Sequence, residues 1–291
     1  MAPLKEALFS WLSLWALFAL SAGCHTPPVS PQGSKGEGSG ARRFISLAPS
    51  LTEWVYELDA ASGLVARSER CDQPVEALKK PSAGGLFPPD LELILSFKPS
   101  DALMIEGHPL LKSQLQRFGV QVHTLQPTSL KGLWALVERL GRLLERPEQA
   151  QRWLRAAQAK LSAELAELPP LSSAPKVLIE VWPSPLAVAG AESFMGDLVR
   201  VAGAQPVPSG LGAWPQLPLE ELLKLDPELI IVSSPQRVAE LLSPSAPRAW
   251  RALSAVKSKR VYAREGRLER PSPRLIEELI WLAQLLRRPT P

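Results

Sequence analysis

Residue types able to hold a metal or attack a substrate are sparse in this sequence. It carries three histidines and two cysteines among 291 residues. The separation of Cys24 from Cys71 fits no zinc site, and His25 sits in a Pro/Gly/Ser-rich stretch, so no metal cluster is expected. His108, in Glu106-Gly107-His108-Pro109 behind a strand candidate, could be an axial metal ligand or a solvated loop histidine. There is no Gly-x-Ser-x-Gly elbow and no phosphate-cradling glycine loop. Nucleophilic catalysis would need Cys71 paired with His108 or His123, and nothing in the sequence brings them together. Contact chemistry is better represented. Trp214 lies in Gly210-Leu211-Gly212-Ala213-Trp214-Pro215, outside any helical or strand period. There it can offer a flat apolar wall to a planar ligand, or else cover a local core. Trp182 has the same two options. The expectation is therefore a binding protein and not an enzyme, with no cofactor.

Composition allows this. Apolar residues make up 45% and charged residues 21%, ordinary for a globular chain, and the net charge is +4. The run from Arg248 to Arg274 is richer in cations but is interrupted by Glu265 and Glu269, so it reads as a solvated face or an anion-contacting surface. No nucleic-acid motif accompanies it.

The elements that position these residues begin after an address and a tether. Leu8–Leu20 has no charged residue; as a helix it would span about 20 Å, too short for a bilayer core of about 30 Å and right for a signal-peptide apolar region. Leu20-Ser21-Ala22-Gly23-Cys24 resembles a bacterial lipobox, with leucine four residues before the cysteine where three is usual. That resemblance implies cleavage after residue 23, a diacylated Cys24 and a membrane anchor; an ordinary signal peptide cut nearby is the alternative. From 24 to 41 the chain is too poor in apolar residues to fold and reads as a leash. Cys71 is then left without a partner, and no intrachain disulfide is expected.

Beyond Arg42, apolar runs alternate with amphipathic stretches, the pattern of an α/β fold. Strand candidates are Phe44–Leu47, Leu64–Arg67, Ala102–Ile105, Val120–Leu125, Val177–Val181, Leu186–Ala189, Leu229–Val232 and Arg260–Ala263. Two halves repeat. Leu91-Glu92 through Pro99 and Leu219-Glu220 through Pro227 match at an offset of 128, each a short helix stopped by proline and followed by a strand. Between them, helical periods run over Leu130–Leu144 and onward from Pro147, the second long enough to bridge two lobes as a strut of about 33 Å. The expected architecture is two similar three-layer lobes, 42–146 and 171–291, joined by a single backbone helix at 147–170, with a ligand cleft between them. One stiff helix between lobes argues against large hinge closure. Ser50-x-x-Glu53 reads as a capping box that starts a helix at Leu51, facing the crevice beyond a strand end.

Ile45-Ser46-Leu47-Ala48-Pro49-Ser50-Leu51-Thr52-Glu53, Cys71-Asp72-Gln73-Pro74, Gly84-Gly85, Ala213-Trp214-Pro215-Gln216 and Ser272-Pro273-Arg274 resemble the cobalamin and iron-siderophore periplasmic binding proteins, leaning through Trp214-Pro215-Gln216 toward the cobalamin branch. The resemblance implies an exported solute-binding subunit of an ABC importer. Its partners would be permease subunits with their ATPase and a small-molecule ligand, and a monomer is expected. Ligand contacts are expected from Trp214, Leu86, Phe87, Arg70, Trp182, Arg267 and Ser50. Arg70 stands where the family often has tyrosine and Gly266 where a polar contact is usual, with Arg264 and Arg267 nearby. These departures favour a ligand bearing carboxylates: a modified corrinoid, haem or a ferric siderophore. Glu92 and Glu220 would dock against arginines of the two transporter subunits, or merely complement their helix N-termini. A scaffold or sensor lipoprotein with the same fold is the remaining alternative.

Overall fold

The computed structural model describes residues 42–85, 89–264 and 267–289. The first lobe runs β1 (Phe44–Ser46), α1 (Pro49–Glu57), β2 (Leu64–Arg67), α2 (Leu91–Ser96), β3 (Asp101–Met104), α3 (Pro109–Arg117) and β4 (Gln121–Thr124). Helices α4 (Leu130–Leu143) and α5 (Pro147–Glu167) follow. The second lobe contains β5 (Lys176–Pro183), β6 (Leu186–Val188), α6 (Phe194–Val201), β7 (Gln205–Pro206), α7 (Leu219–Leu225) and β8 (Leu229–Val232). It ends with α8 (Pro235–Leu242), α9 (Arg248–Ala252), α10 (Ser254–Lys257), β9 (Val261–Ala263) and α11 (Leu275–Leu286). All eight strand candidates are strands; the two-residue β7 carries too little apolar pattern to stand out in the sequence.

The duplication holds in the backbone. The first sheet is ordered β2-β1-β3-β4, all parallel. In the second, β7, β5, β8 and β9 stand in the same parallel order, with β6 added antiparallel at the other part of β5. Ile94 of α2 and Leu222 of α7, 128 apart, are both fully buried. Lys98 and Asp226, also 128 apart, both take positive φ, 49° and 42°, just before the helix-stopping prolines. The amides of Ser100 and Glu228 then donate to Arg43 O (2.7 Å) and Lys176 O (2.9 Å), the residues leading into the two central strands.

Strand alternation gives each sheet two apolar faces. Ile45, Ala102 and Met104 face a core belonging to the first lobe, and Leu178, Ile230 and Val232 one belonging to the second. The opposite faces, through Phe44, Leu103, Val177, Ile179, Leu229 and Ile231, join one continuous core with α1, α4, α5, α6 and α11. The lobes are thus welded through shared apolar packing. Helix α5, about 32 Å long, buries Ala150, Leu154, Ala157 and Leu161 in that core. Trp54 of α1 is fully buried, sits edge-on to Trp153 of α5 at 4.6 Å, and donates from Nε1 to Pro271 O at 2.7 Å.

Polar contacts pin the same seam. Asp197 of α6 accepts from the Leu130 amide at 2.8 Å, Lys160 pairs with Glu277 at 2.7 Å, and Arg270 lies 3.7 Å from Asp72. The expected capping box is not formed. Proline at the first helical position needs no amide partner and starts α1 at Pro49, two residues early, which leaves Ser50 inside the first turn. Glu53, freed from capping, reaches across to Arg274 Nε at 3.5 Å, while Arg274 also donates to Gln73 Oε1 at 2.8 Å. The cation-rich run is therefore not simply a solvated face: Arg264 and Arg267 both pair with the buried Glu278, and Arg270 and Arg274 cross to the first lobe.

Burial pushes the Glu53 carboxyl above its ordinary 4.5, against the pull of Arg274 and a hydrogen bond from Ser272. A raised folded-state value means that the fold favours the protonated acid. The associated stabilisation is complete below the ordinary value and is lost as pH rises through the raised one. Chemical denaturation of Glu53→Gln beside the wild type should show the difference moving in the variant's favour as pH rises above the ordinary value of 4.5. A wild type that gains on the variant over that range contradicts this assignment.

Candidate functional site

The carboxyl ends of the parallel strands in both lobes turn toward one another, the place where open α/β sheets hold ligands. A cavity of about 180 Å³ lies there. The first lobe lines it with Ala48, Pro49 and Ser50 after β1, Ile105 after β3, and Gln126 and Pro127 after β4. From the second lobe come Phe194 and Met195 at the start of α6, Trp214, and Glu269, Arg270 and Pro271 between β9 and α11. Ser193 caps α6 through its Oγ, which accepts from the Gly196 amide at 2.9 Å, so the first turn of that helix is fixed where it meets the cavity.

Trp214 is held by backbone pairing and not by its own indole. The strip 213–217 runs antiparallel to β6: Gly190 N donates to Ala213 O at 3.0 Å, Val188 N to Pro215 O at 3.1 Å, and Leu217 N to Leu186 O at 2.8 Å. Leu186, Val188 and Leu217 anchor the strip in the second lobe's own core, while Trp214 stays 53% exposed at the cavity. The close approach depends on Gly190, since a Cβ there would overlap the Gly212 carbonyl oxygen. Gly210 and Gly212, at φ 76° and 85°, supply the turn into the strip.

Two ionisable groups share the wall. Although Glu269 reaches solvent at the mouth, the surrounding protein pushes its carboxyl up, an effect that the neighbouring Arg270 opposes. Arg270 spans the mouth toward Asp72, both half-exposed, so a ligand anion could compete for its guanidinium. Sequence reasoning singled out neither of these, nor Phe194 or Gln126. For two of them the available signal was position: Gln126 stands just past the end of β4 and Phe194 at the start of α6.

Of the residues expected to contact ligand, Ser50 and Trp214 are brought together at the cavity. Arg70, Trp182 and Arg267 are not among the described residues that line it. Arg70 is exposed, and Arg267 is committed in part to Glu278 at 3.7 Å. Arg264 also pairs with Glu278 and lies 4.6 Å over the Trp281 ring. Trp182 stands on β5 where that strand pairs with β6. Leu86, Phe87, Gly266 and Cys24 lie outside the described residues. His108 heads α3, and Cys71 is buried with its thiol 3.2 Å from Ser68 Oγ and its pKa raised by burial. Glu92 and Glu220 are both exposed, on the equivalent helices α2 and α7.

A family model described as periplasmic binding protein matches residues 45–267. The chain is 28% identical over 257 residues to a vitamin B12-binding protein of Photorhabdus laumondii, covering 84% of this chain and 87% of that one. It is 26% identical over 97% of both chains to an uncharacterized ABC transporter substrate-binding lipoprotein, YvrC, of Bacillus subtilis. Among solved structures, the periplasmic heme-binding protein BhuT in complex with two hemes superposes with a TM-score of 0.74 at 25% identity, over 85% of this chain and 98% of that one.

Gly190→Ala should push the Trp214 strip from β6, lowering the unfolding free energy by about 1–3 kcal/mol and changing the acrylamide quenching attributable to Trp214, measured as the difference from Trp214→Phe. An unchanged denaturation midpoint with unchanged quenching contradicts this placement of the strip.

Proposed function

The chain belongs to the periplasmic binding protein family, and on that premise we propose that it captures cobalamin or a related corrinoid in the interlobe cleft and delivers it to an ABC permease and its ATPase. The observation that carries this is the cavity itself: equivalent strand ends of two duplicated lobes meet across it, with Trp214 in its wall. The likeness to vitamin B12-binding proteins supports the choice of ligand. No catalytic role is assigned to any cleft residue. Haem is the second reading, favoured by Arg270 in the wall, whose guanidinium suits a carboxylate, and by the likeness to a heme-bound relative.

Glu92 and Glu220 are proposed to meet the two permease subunits. The support is their equivalence: both are exposed, and each stands over the same buried anchor at one offset. Cys24 is proposed to be diacylated, leaving residues 24–41 as a tether to the membrane surface and the body as a monomer. Among the described residues no helix is long and apolar enough to cross a membrane.

Purified full-length protein titrated with cyanocobalamin and with haemin should show saturable quenching of tryptophan emission by one of them. The double variant Glu92→Ala, Glu220→Ala should keep that affinity while transporter-dependent uptake falls by about tenfold or more. No response to either compound contradicts the ligand class, and undiminished uptake removes the docking role.

A further inference from the structure

Trp182 shows how the second lobe departs from its twin. The central strand of the first lobe, β1, has three residues, whereas β5 has eight and continues into a hairpin with β6 that has no counterpart among the described residues of the first lobe. Along that hairpin Glu180 pairs with Val188 and Trp182 with Ala187, so one extra residue is inserted between them. Without it, Trp182 would point the same way as Glu180, whose carboxylate is buried with Arg237 beside the second lobe's core. The bulge turns Trp182 to the face of Ala187 instead. There it is 60% exposed, and its Nε1 donates to Ser184 O at 3.0 Å, which restrains the indole.

Ala187 in turn bridges Gln216 on the Trp214 strip. Directly opposed residues share a face of a sheet, as do residues two apart on one strand. Trp182, Ala187, Gln216 and Trp214 therefore look out from one side, while Leu186, Val188 and Leu217 fill the core on the other. Two strand spacings of about 4.8 Å and one two-residue step make this surface about 10 Å by about 7 Å. Trp214 belongs to both the surface and the cavity wall. The cavity holds about 180 Å³, whereas sites for drug-sized ligands are about 300–1,000 Å³, so a tetrapyrrole ring seated there would overhang it.

We propose that Trp182, Ala187, Gln216 and Trp214 form a ledge that carries the overhanging face of a planar ring ligand. This rests on the proposed corrinoid or haem binding and adds Trp182 as a determinant of affinity. A restrained indole on the same face as Trp214 extends the apolar wall without a further ordering cost.

The test uses the full chain with cyanocobalamin and haemin as probes, comparing wild type, Trp182→Ala, Trp182→Phe and Trp214→Ala. For a probe that the wild type binds, Trp182→Ala should weaken binding about five- to tenfold with an unshifted melting temperature, and Trp182→Phe should restore most of it. If Trp182→Ala binds like wild type while Trp214→Ala does not, the cavity alone holds the ligand: the ledge is wrong and the proposed function stands. The ledge is equally wrong if Trp182→Ala impairs only uptake, which would make the indole a transporter contact. A wild type that binds neither probe overturns both.

Discussion

The apolar core shared by the two lobes is the constraint on which the rest of the structure depends. Each sheet gives one face to a private core and the other to the common one, so neither lobe can rotate without exposing buried aliphatic surface, at roughly 25 cal/mol per Å². Trp54 is its keystone. It touches α5 through Trp153 and the second lobe through the Pro271 carbonyl, and its burial requires both to be in place. The connecting helix does not hold the lobes by its own stiffness alone; it is one wall of a packed interior.

The cleft inherits this rigidity. Pro271 receives the Trp54 hydrogen bond, and its neighbours Glu269 and Arg270 line the cavity, while Arg274 reaches Glu53 and Gln73. The segment that lines part of the cavity is therefore also the clamp between lobes. On the other wall Trp214 is positioned by backbone pairing to β6, which is packed into the second lobe's core. Affinity in such a site comes from preorganised walls, with little ordering required when a ligand arrives.

Local chemistry was legible in the sequence. The strands declare themselves through apolar runs, α5 through its period and Pro147, and the duplication through Leu, Glu and Pro at one offset, which extends to the left-handed turns at Lys98 and Asp226. Trp214 stood out because it fits no period. What escaped depends on contacts far apart in the chain. Glu53 fits a capping pattern locally, but Pro49 starts the helix sooner and Arg274, 221 residues away, takes the carboxylate. Glu269 and Arg270 read as part of a charged run until the fold brings them opposite Ser50. The outward turn of Trp182 comes from a bulge, and a one-residue register change leaves no mark on composition.

Preset lobe spacing is the central claim, and distance measurement between the lobes tests it most directly. Spin labels at the exposed Gln116 on α3 and Gln236 on α8 report that spacing by pulsed electron resonance, with and without saturating ligand. A single narrow distribution that shifts by no more than about 2 Å is the predicted result. A broad ligand-free distribution that collapses to a much shorter distance on binding would contradict a welded pair of lobes.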